Sequence, residues 1–405
     1  MGNPFLNKNI LLGITGSIAA YKGAELASRL AQAGAKVNGL LTPAAEKFIS
    51  PLTFQSLTGS QCFTDADLWG GQAHVVHVQL GRSADLVLVA PASANTIAKL
   101  AHGIADNLLT VTILASRCPL VVAPAMDAGM YSQPATQENI HRLQSRGVTF
   151  IGPAEGHLAS GLEGTGRMVE TGDIVAQLRW MFSGNGPLTG KKIVVTAGGT
   201  QEAIDPVRVI TNLSSGKQGY AVVQSALDLG ARVTLISAPT ALPVPYGAEL
   251  VKVNTAEEMR RAVLENIPGA LVLIMAAAVA DFRPAQRQEE KIKKEKGMKE
   301  LLLEDTADIL LEVAHKKEKL NPGLRVIGFA AETEDIWRNA QKKLESKRLD
   351  MIVVNDITTP LAGFNSDTNQ VSLLFADGSS EDLPLMKKSE VADKILQTLL
   401  NWLAE

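Results

Sequence analysis

The stretch Ile193–Gly219, IVVTAGGTQEAIDPVRVITNLSSGKQG, decides the fold of this chain. It opens with a short apolar, β-branched run that is typical of a buried strand, and Gly198 and Gly199 then allow a ligand to approach the backbone closely. The cluster Asn212–Lys217 precedes a helix expected from about Gly219 to Leu229, so its hydroxyls and amides lie at a helix N-terminus. Strand, glycine turn and helix together predict a βα unit with an anion-binding site.

The same order of elements recurs near the N-terminus. A strand beginning at Asn9, an amphipathic helix from about Ile18 to Ala33 and a strand over Lys36–Thr42 form a similar unit, in which LAQAGAKVNGLLTP echoes the later LDLGARVTLISAP. These repeats predict an α/β protein with two successive doubly wound, Rossmann-like, mostly parallel sheets. The turn-forming segment Ser183–Gly190 separates them, so we predict domains over residues 1–188 and 189–405.

The composition excludes several classes of protein. The formal net charge is −3, from 39 Lys and Arg against 42 Asp and Glu, which gives no general electrostatic reason to bind nucleic acid or a membrane. The spacing of Cys62 and Cys118 suits neither a disulfide framework nor a metal site. The N-terminus lacks a secretory signal pattern, and the most apolar run, Ala270–Ala280, is too short to span a bilayer, so we expect a cytoplasmic protein.

Three loops of the N-terminal half are expected to meet at one edge of its sheet. They hold Gly16 and Ser17, then Thr42, then Ser93 and Asn95, and each follows a predicted strand. Each loop alone is better explained as a helix cap than as a ligand contact. Because ligands of open α/β sheets bind at the carboxyl ends of the strands, the three loops together predict a ligand site. The turn GITGSIAA does not match GxGxxG, so a nicotinamide-dinucleotide dehydrogenase has little support beyond the sheet pattern.

Two motifs resemble those of a known enzyme family. The segment PASANTIAKLAHGIADNLL, residues 91–109, resembles the flavin mononucleotide (FMN) site of phosphopantothenoylcysteine decarboxylases, and Ile193–Gly219 resembles the start of phosphopantothenate–cysteine ligases. Both activities belong to the bifunctional coenzyme A biosynthesis family, whose motifs occur here in the expected order. The resemblance implies an N-terminal flavodoxin-like FMN domain with decarboxylase activity, followed by a ligase domain.

The resemblance also implies which residues serve the decarboxylase. His77 matches the family's catalytic histidine and would act as a base or proton relay near the flavin. Substrate would be bound by Ala125, Met126 and Asp127. The residues expected to bind FMN are Gly16, Ser17, Thr42, Ser93 and Asn95.

Two positions depart from the decarboxylase pattern. The family's P-A-M-N reads P-A-M-D here, so Asp127 would have to be protonated or act through hydrogen bonds. The family's A-C-G reads A-S-G, and the hydroxyl of Ser160 is a much weaker acid than a thiol. Ser160 would therefore position a water or relay a proton from another acid, for which Glu163 is the nearest carboxylate in sequence. The flap pattern Gly161, Gly164, Gly166 and Arg167 is otherwise intact.

In the ligase half, the resemblance implies that CTP activates the carboxylate of 4'-phosphopantothenate as an acyl cytidylate, which the amine of cysteine attacks. Gly199 and Asn212 would bind substrate, Asn212 would hold the acyl cytidylate, and Lys291 would neutralise the departing phosphates. Mg²⁺ would bridge these phosphates, but the sequence does not indicate its protein ligands. The family's N-P-D-I reads Thr306–Ile309 here. The residues expected to bind CTP are Asp281, Lys291, Asp308, Phe329, Lys343 and Lys347.

The product of the ligase would then be decarboxylated to 4'-phosphopantetheine. The expected ligands are 4'-phosphopantothenate, cysteine, CTP and phosphopantothenoylcysteine, with no nucleic acid or membrane partner. Trimeric flavin domains joined through dimeric ligase domains would give a homo-oligomer, for which a dodecamer is one solution. An alternative is a ligase whose flavin domain is a non-catalytic scaffold or regulatory binding module, and bound flavin without CO2 release would indicate it.

Overall fold

The computed structural model describes residues 2–69, 75–293, 300–332, 336–356 and 366–404. The chain divides into two compact units, an N-terminal unit over Asn3–Phe182 and a C-terminal unit over Ser183–Glu405 that also includes Gly2. This division comes before the predicted limit at 188/189. The reason is that Leu188 is fully buried in the same core cluster as Ile193 of the C-terminal unit.

The N-terminal unit is an α/β sheet followed by a hairpin and a last helix. Its strands are β1 Asn9–Ile14, β2 Lys36–Leu41, β3 Cys62–Phe63, β4 Leu86–Ala92, β5 Leu120–Pro124, β6 Thr149–Phe150, β7 Ala154–His157 and β8 Glu163–Arg167. Its helices are α1 Ala20–Gln32, α2 Pro51–Thr58, α3 Val76–Ser83, α4 Ala94–His102, α5 Leu108–Ala115, α6 Ala128–Ser132, α7 Pro134–Ser145 and α8 Thr171–Ser183.

Among the described residues of this unit, six strands pair in parallel in the order β3-β2-β1-β4-β5-β6. Without the two-residue edge strand β3, this is the flavodoxin-like order expected from the sequence. Side chains of β1 alternate between two clusters, because Ile10 and Leu12 lie in one and Leu11 lies in the other. Both faces of the sheet are therefore covered, as the doubly wound prediction requires.

The C-terminal unit repeats this architecture and adds antiparallel strands. Its strands are β9 Lys192–Ala197, β10 Gln201–Ala203, β11 Val209–Thr211, β12 Arg232–Ser237, β13 Glu249–Lys252, β14 Val272–Met275, β15 Phe282–Pro284, β16 Leu303–Asp305, β17 Arg325–Glu332, β18 Met351–Asp356, β19 Thr368–Asn369, β20 Val371–Phe375, β21 Ser380–Asp382 and β22 Met386–Lys387. Its helices are α9 Lys217–Asp228, α10 Ala256–Asn266, α11 Ile309–Leu320, α12 Ile336–Ser346 and α13 Lys388–Ala404.

The main sheet of this unit has the order β13-β12-β9-β14-β17-β18-β20-β21, and only the pairs β18–β20 and β20–β21 are antiparallel within its described strands. Ile193 and Val195 of β9 pack into one core cluster and Val194 packs into another, so this sheet is also covered on both faces. The prediction of two successive doubly wound sheets is confirmed. In each unit the strand order reverses beside the first strand, at β1/β4 and at β9/β14.

Candidate active sites in the two units

The strand order of the N-terminal unit reverses between β1 and β4, and one threonine ties the two loops that follow these strands. The Thr15 hydroxyl donates to the Pro91 carbonyl at 2.8 Å and accepts from the backbone N–H of Ser93 at 2.9 Å. Ser93 in turn caps α4 by accepting from the Thr96 N–H at 3.3 Å. A helix N-terminus with a hydroxyl cap at this edge of the sheet suits an anionic ligand group.

The remaining loop residues predicted for FMN lie at the same edge of the sheet, and the side chain of one of them is exposed. The backbone N–H of Thr42 donates to the Ile14 carbonyl at 3.1 Å, which joins the β2 loop to β1. Gly16 lies so close to the β2 loop that a Cβ there would come within 2.6 Å of the Ala44 Cβ. Asn95 lies exposed in the first turn of α4. The predicted loops of β1, β2 and β4 are thus brought together.

A cavity of about 330 Å³ lies beside these loops. It is covered by the flap, which we define as the β7–β8 hairpin over residues 154–167. Four residues predicted from the sequence, Ser17, Ala125, Met126 and Asp127, line it together with Ser160. The other lining residues are Ile18, Ala19, Tyr21, Lys22, His157, Leu158, Ala159, Gly166, Arg167 and Met168.

The flap glycines have a packing role. A Cβ at Gly166 would overlap the Met126 carbonyl oxygen, and one at Gly164 would lie 2.8 Å from the Ala128 Cβ. The backbone is also joined here, because the Met126 N–H donates to the Gly166 carbonyl at 2.9 Å. The flap therefore lies directly on the segment after β5, which only residues without a side chain allow.

The two departures from the decarboxylase pattern contact each other. The Ser160 hydroxyl donates to Asp127 Oδ2 at 2.7 Å, while Asp127 Oδ1 accepts from the Gly129 N–H at 2.9 Å and caps α6. The hydrogen bond from Ser160 and then that from Gly129 lower the pKa of Asp127 below its ordinary value. Of the two options weighed for Asp127, the structure therefore favours an ionised carboxylate that acts through hydrogen bonds.

His77 lies on α3, and Glu163 is not in contact with Ser160. His77 is half-buried in α3 and is not among the residues lining the cavity. Its Nδ1 is buried, and no described residue forms a hydrogen bond with it. Glu163 contacts His157 instead of Ser160, with 2.9 Å between Glu163 Oε1 and His157 Nε2. The flap thus contributes His157 to the cavity lining, and the sequence interpretation did not predict this residue.

Lys22 is a second cavity residue that the sequence interpretation missed. Its side chain is only 6% exposed, and Nζ donates to Glu170 Oε1 at 3.0 Å and to the Met168 carbonyl at 3.2 Å. Glu170 also accepts from Arg167 at 2.6 Å. The sequence did contain a signal for Lys22, because it lies on the apolar face of the amphipathic helix α1. A fully buried lysine is rare unless it is paired, so this position indicated a special role.

In the C-terminal unit, threonine hydroxyls join the loop after β9 to the loop after β14. Thr196 Oγ1 accepts from the Ala277 N–H at 3.1 Å, and Thr200 Oγ1 accepts from the Ala280 N–H at 2.8 Å. Gly199 forms a parallel bridge with Ala278, and a Cβ on Gly199 would lie 2.8 Å from the Asn212 carbonyl oxygen. This close packing holds the Asn212 segment against the point where the strand order reverses.

A cavity of about 520 Å³ opens at this point and gathers most of the predicted ligase residues. The Asn212 Nδ2 donates to the Val279 carbonyl at 3.0 Å on its wall. Thr306, a departure from N-P-D-I, donates through Oγ1 to the Ala280 carbonyl at 2.6 Å and so ties the loop before α11 to the loop after β14. The predicted residues that line the cavity are Asn212, Asp281, Asp308, Phe329, Lys343 and Lys347.

The charged residues of this cavity come from the N-cap of α11, from the C-terminal end of α12 and from Asp281 before β15. Asp308 caps α11 by accepting from the Leu311 N–H at 3.1 Å, and Lys347 Nζ lies 3.0 Å from Asp308 Oδ2. Lys343 lines the same cavity from α12. The predicted pair of lysines four residues apart therefore faces one cavity.

A smaller cleft of about 150 Å³ adjoins the first and shares Ala277, Ala278, Phe329 and Ala330 with it. Ser214–Gly219 line the cleft at the N-terminus of α9, where Gly216 has φ 74°. Lys388 lies in the same cleft, and its pKa is lowered by burial and then by the positive charge of Lys217. The anion-binding site predicted from Asn212–Lys217 thus has the expected backbone geometry.

Lys291 is exposed and is not among the residues that line either cavity. The next residue is anchored, because the Ile292 N–H donates to Asp205 Oδ2 at 3.3 Å and Arg208 donates to the Ile292 carbonyl at 2.8 Å. Asp205 Oδ1 also accepts from the backbone N–H groups of Val207 and Arg208. Asp205 thereby holds the described start of the lysine-rich segment, while residues 294–299 lie outside the described residues.

Asp205 predicts a pH dependence of stability. Burial alone would raise its pKa, but the N–H groups of Val207, Ile292 and Arg208 and the charge of Arg208 outweigh burial, so the pKa is lowered. A carboxyl with a lowered pKa in the folded state stabilises at pH above its unfolded value of about 3.9, and this contribution is lost as the pH falls through the folded value. We expect Asp205→Asn to be less stable at neutral pH, because its amide nitrogen cannot accept from Ile292, and to lose less stability in acid.

The measurement is the urea midpoint of the C-terminal unit at several values between about pH 3 and pH 7 in wild type and Asp205→Asn. Parallel pH profiles for the two proteins would contradict a role for this carboxylate.

Within the part of the chain that the structure describes, no cluster of three or more His, Cys, Asp or Glu side chains could hold a metal ion. The same residues include no helix that is both long and apolar enough to cross a bilayer.

Comparisons with known proteins agree with the architecture of both units. Residues 3–183 match the Flavoprotein family, and residues 188–403 match the DNA/pantothenate metabolism flavoprotein C-terminal domain. The chain is 46% identical over 396 residues to the coenzyme A biosynthesis bifunctional protein CoaBC of Bacillus subtilis (strain 168), covering 97% of each chain. It is 43% identical over 394 residues to the Vibrio vulnificus (strain CMCP6) CoaBC protein, again covering 97% of each.

A solved structure of the C-terminal domain of a CoaBC protein aligns with 54% of this chain and 97% of its own length, at 41% identity and a TM-score of 0.46. The matches to the two family models and to full-length relatives extend over both units. The chain belongs to the family of bifunctional CoaBC proteins of coenzyme A biosynthesis.

Proposed function

We propose that the C-terminal unit condenses 4'-phosphopantothenate with cysteine at the expense of CTP, and that the N-terminal unit decarboxylates the resulting phosphopantothenoylcysteine with FMN. Membership of the CoaBC family makes the chain a bifunctional enzyme with ligase and decarboxylase activities. We further propose that the nucleotide is CTP, that Mg²⁺ takes part and that the protein is cytoplasmic. The roles given below to individual residues are part of the same proposal.

The observation that best supports the ligase is the convergence of six predicted residues, spread from Asn212 to Lys347, on one cavity. A carboxylate is a poor acyl donor, so it must be activated before an amine can attack it. In the proposal, Asn212 contacts the acyl cytidylate, and Asp281, Phe329, Lys343 and Lys347 hold the nucleotide. Lysine ammonium groups stabilise the negative charge that develops on the phosphates.

The adjoining cleft supplies a place for the phosphates. Helix α9 has no acidic residue in its first turn and begins at Lys217, so its N-terminus favours an anion. Gln218 Oε1 and Asn355 Oδ1 are buried near this end without a hydrogen-bond partner among the described residues, and as acceptors they would pair with a donor or a cation. We propose that the triphosphate would bind here and that Mg²⁺ would supply positive charge to it. Lys291 would reach the phosphates from the segment that Asp205 anchors.

The decarboxylase proposal is supported by the fit between the loops and FMN. Gly16 packs so closely that a side chain would obstruct the loop, and the Ser93-capped N-terminus of α4 suits the phosphate. The buried, unpartnered Nδ1 of His77 needs a polar partner from outside the described chain. When bound, FMN supplies the two-electron oxidation of the substrate thiol that makes loss of CO2 possible, and later returns the electrons.

Exposed apolar side chains support a homo-oligomer. In the hairpins β10–β11 and β15–β16 and the residues beside them, Val207, Phe282 and Leu302 are 63%, 52% and 76% exposed. In the N-terminal unit, Leu52 and Leu114 are 64% and 65% exposed. Such surfaces are typical of contacts between subunits. We propose dimeric contacts in the ligase unit and trimeric contacts in the flavin unit, for which sedimentation analysis is the test.

Purified protein with 4'-phosphopantothenate, cysteine and either CTP or ATP tests the two activities separately. We expect CTP-dependent pyrophosphate release, then CO2 and 4'-phosphopantetheine. Pyrophosphate release with ATP alone would refute the nucleotide assignment. Ligase activity with bound yellow flavin but no CO2 would establish the scaffold alternative.

The flap packing predicts a selective loss of decarboxylase activity. In Gly166→Ala, the new methyl group overlaps the Met126 carbonyl, so the flap must move away from Met126 and Asp127. A displacement of about 1 Å in an active site can lower the rate about 10²-fold. We expect CO2 release to fall accordingly while the ligase rate is unchanged. Gly172→Ala is the matched control, because no atom lies within 4 Å of its added Cβ, and equal activity of both variants would contradict the role of the flap.

A further inference from the structure

The flap carries a histidine and a glutamate that face each other across the hairpin. His157 ends β7, Glu163 begins β8, and the two residues are register partners in the antiparallel pair. His157 Nε2 lies 2.9 Å from Glu163 Oε1. His157 lines the cavity beside Asp127 and Ser160, whereas Glu163 does not. His157 thus lines the cavity, and its exposed side chain lies beside the Glu163 carboxylate.

The other titratable groups of the cavity are poorly suited to give up a proton there. Ser160 donates its hydroxyl to Asp127, which is held in its ionised form. Lys22 and Arg167 both donate to Glu170, and arginine does not lose its proton in proteins. Tyr21 also lines the cavity, but a phenol is a weak acid near neutral pH.

No thiol of this chain replaces the cysteine of the family pattern. Neither Cys62 nor Cys118 lines the cavity. Burial, with Asp67 and Glu46, raises the pKa of Cys62 to about 12, and burial also raises the pKa of Cys118. Histidine is the side chain type that exchanges protons most readily near neutral pH.

We propose that His157 is the proton donor of the reductive step of the decarboxylase and that Glu163 is its positioning residue. The inference rests on the proposed decarboxylase function of the N-terminal unit. The family's A-C-G pattern supplies a cysteine as the acid, and this chain has A-S-G instead. His157 would supply the missing acid from the same flap.

The step balances with the reagents of the proposed reaction. After CO2 has left, the substrate is an enethiolate. The Nδ1–H bond of protonated His157 breaks as a C–H bond forms at the carbon that lost CO2, using the electron pair of the enethiolate. The resulting thioaldehyde takes up the hydride returned by reduced FMN and becomes the saturated thiolate. His157 remains neutral with its Nε2–H on Glu163, and solvent restores its proton because its side chain is 83% exposed.

This role predicts a pH dependence of product reduction. Only protonated His157 can act, so formation of saturated product should decrease as the pH rises, and the enethiol should accumulate. Glu163→Gln should lower the yield of saturated product, because a neutral amide orients the imidazole less firmly than the carboxylate does. The charged and titratable groups that face His157 from the elements around the cavity are Tyr21 and Lys22 of α1, Asp127 before α6, and Glu163 and Arg167 of β8.

The test uses full-length protein with bound FMN, chemically prepared phosphopantothenoylcysteine and the variants His157→Gln, Glu163→Gln, Tyr21→Phe and His141→Gln. CO2, enethiol and saturated thiol are quantified by mass spectrometry, and the flavin colour is followed in single turnovers. In His157→Gln we expect CO2 release close to wild type, about 10²-fold less saturated product and flavin that stays bleached. His141 is exposed on α7, so His141→Gln is the matched control.

A second measurement does not depend on turnover. In flavin-free protein, the ring NMR signals of His157 should change in Glu163→Gln, because its contact with Glu163 Oε1 is altered, and should be unchanged in Tyr21→Phe. Saturated product at the wild-type rate in His157→Gln, or stalling in Tyr21→Phe instead, would overturn the assignment of His157. Absence of CO2 from wild-type protein with bound flavin would overturn the proposed decarboxylase function and this inference together.

Discussion

Asn212→Asp is expected to lose about 10²–10³-fold in the rate of phosphopantothenoylcysteine synthesis, the loss typical when one donor to a charged intermediate is removed. The Asn212 Nδ2 donates to the Val279 carbonyl at 3.0 Å. A carboxylate cannot donate this hydrogen bond, and its oxygen would repel both the carbonyl and the phosphate of an acyl cytidylate. The fold should persist, because Asn212 is exposed in the cavity wall.

The measurement separates the two halves of the ligase reaction. CTP-dependent pyrophosphate release reports activation, and formation of phosphopantothenoylcysteine reports attack by cysteine. Accumulated acyl cytidylate would locate the damage after activation. Asn401→Asp is the control, since this exposed residue of α13 accepts from Gln397 through an oxygen that aspartate retains. Normal synthesis by Asn212→Asp would refute the role of Asn212.

His77→Asn is expected to reduce CO2 release by about 10²–10⁴-fold, the usual contribution of a general acid or base. His77 Nδ1 is buried without a partner among the described residues, which is unfavourable unless a ligand or another subunit pairs with it. Asparagine approximates the size of the ring but cannot exchange a proton near neutral pH. His77 lies on α3 and not in the predicted FMN loops that follow β1, β2 and β4, so we expect flavin to stay bound.

The experiment compares CO2, enethiol and flavin content in wild type, His77→Asn and His141→Asn. Loss of both CO2 and enethiol in His77→Asn, with flavin retained, supports a role in the oxidative half. This pattern differs from the one expected for His157→Gln, in which CO2 continues to be released. CO2 release by His77→Asn at the wild-type rate would refute a catalytic role of His77.

The variants His77→Asn and His157→Gln also distinguish the functions of two histidines, of which only His77 was predicted from the sequence. His77 lies in a motif that resembles the family's catalytic histidine, whereas His157 lies in a flap where the resemblance draws attention to Ser160 and Glu163. The register of the β7–β8 hairpin pairs Glu163 with His157, and this pairing follows from the antiparallel arrangement rather than from distance along the chain.

Much of the fold could be predicted from the sequence because its cause is local. The runs Asn9–Ile14 and Lys192–Ala197 are apolar at consecutive positions, which is how strands covered on both faces appear in a sequence. Helix α9 was predicted from about Gly219 and begins at Lys217. The short hairpins β10–β11, β15–β16 and β19–β22 were not predicted, since strands of two or three residues have no measurable periodicity.

The sequence by itself determined the two doubly wound sheets, the loops that end their first strands and the family motifs, because these depend on hydrophobic pattern and on short, contiguous segments. Only the tertiary structure decided which side chains meet. It joined Ser160 to Asp127, paired Glu163 with His157, buried Lys22 at the cavity and anchored the segment of Lys291 through Asp205. The physical reason is that each contact joins residues on different strands, loops or helices, and their distance depends on how the backbone packs.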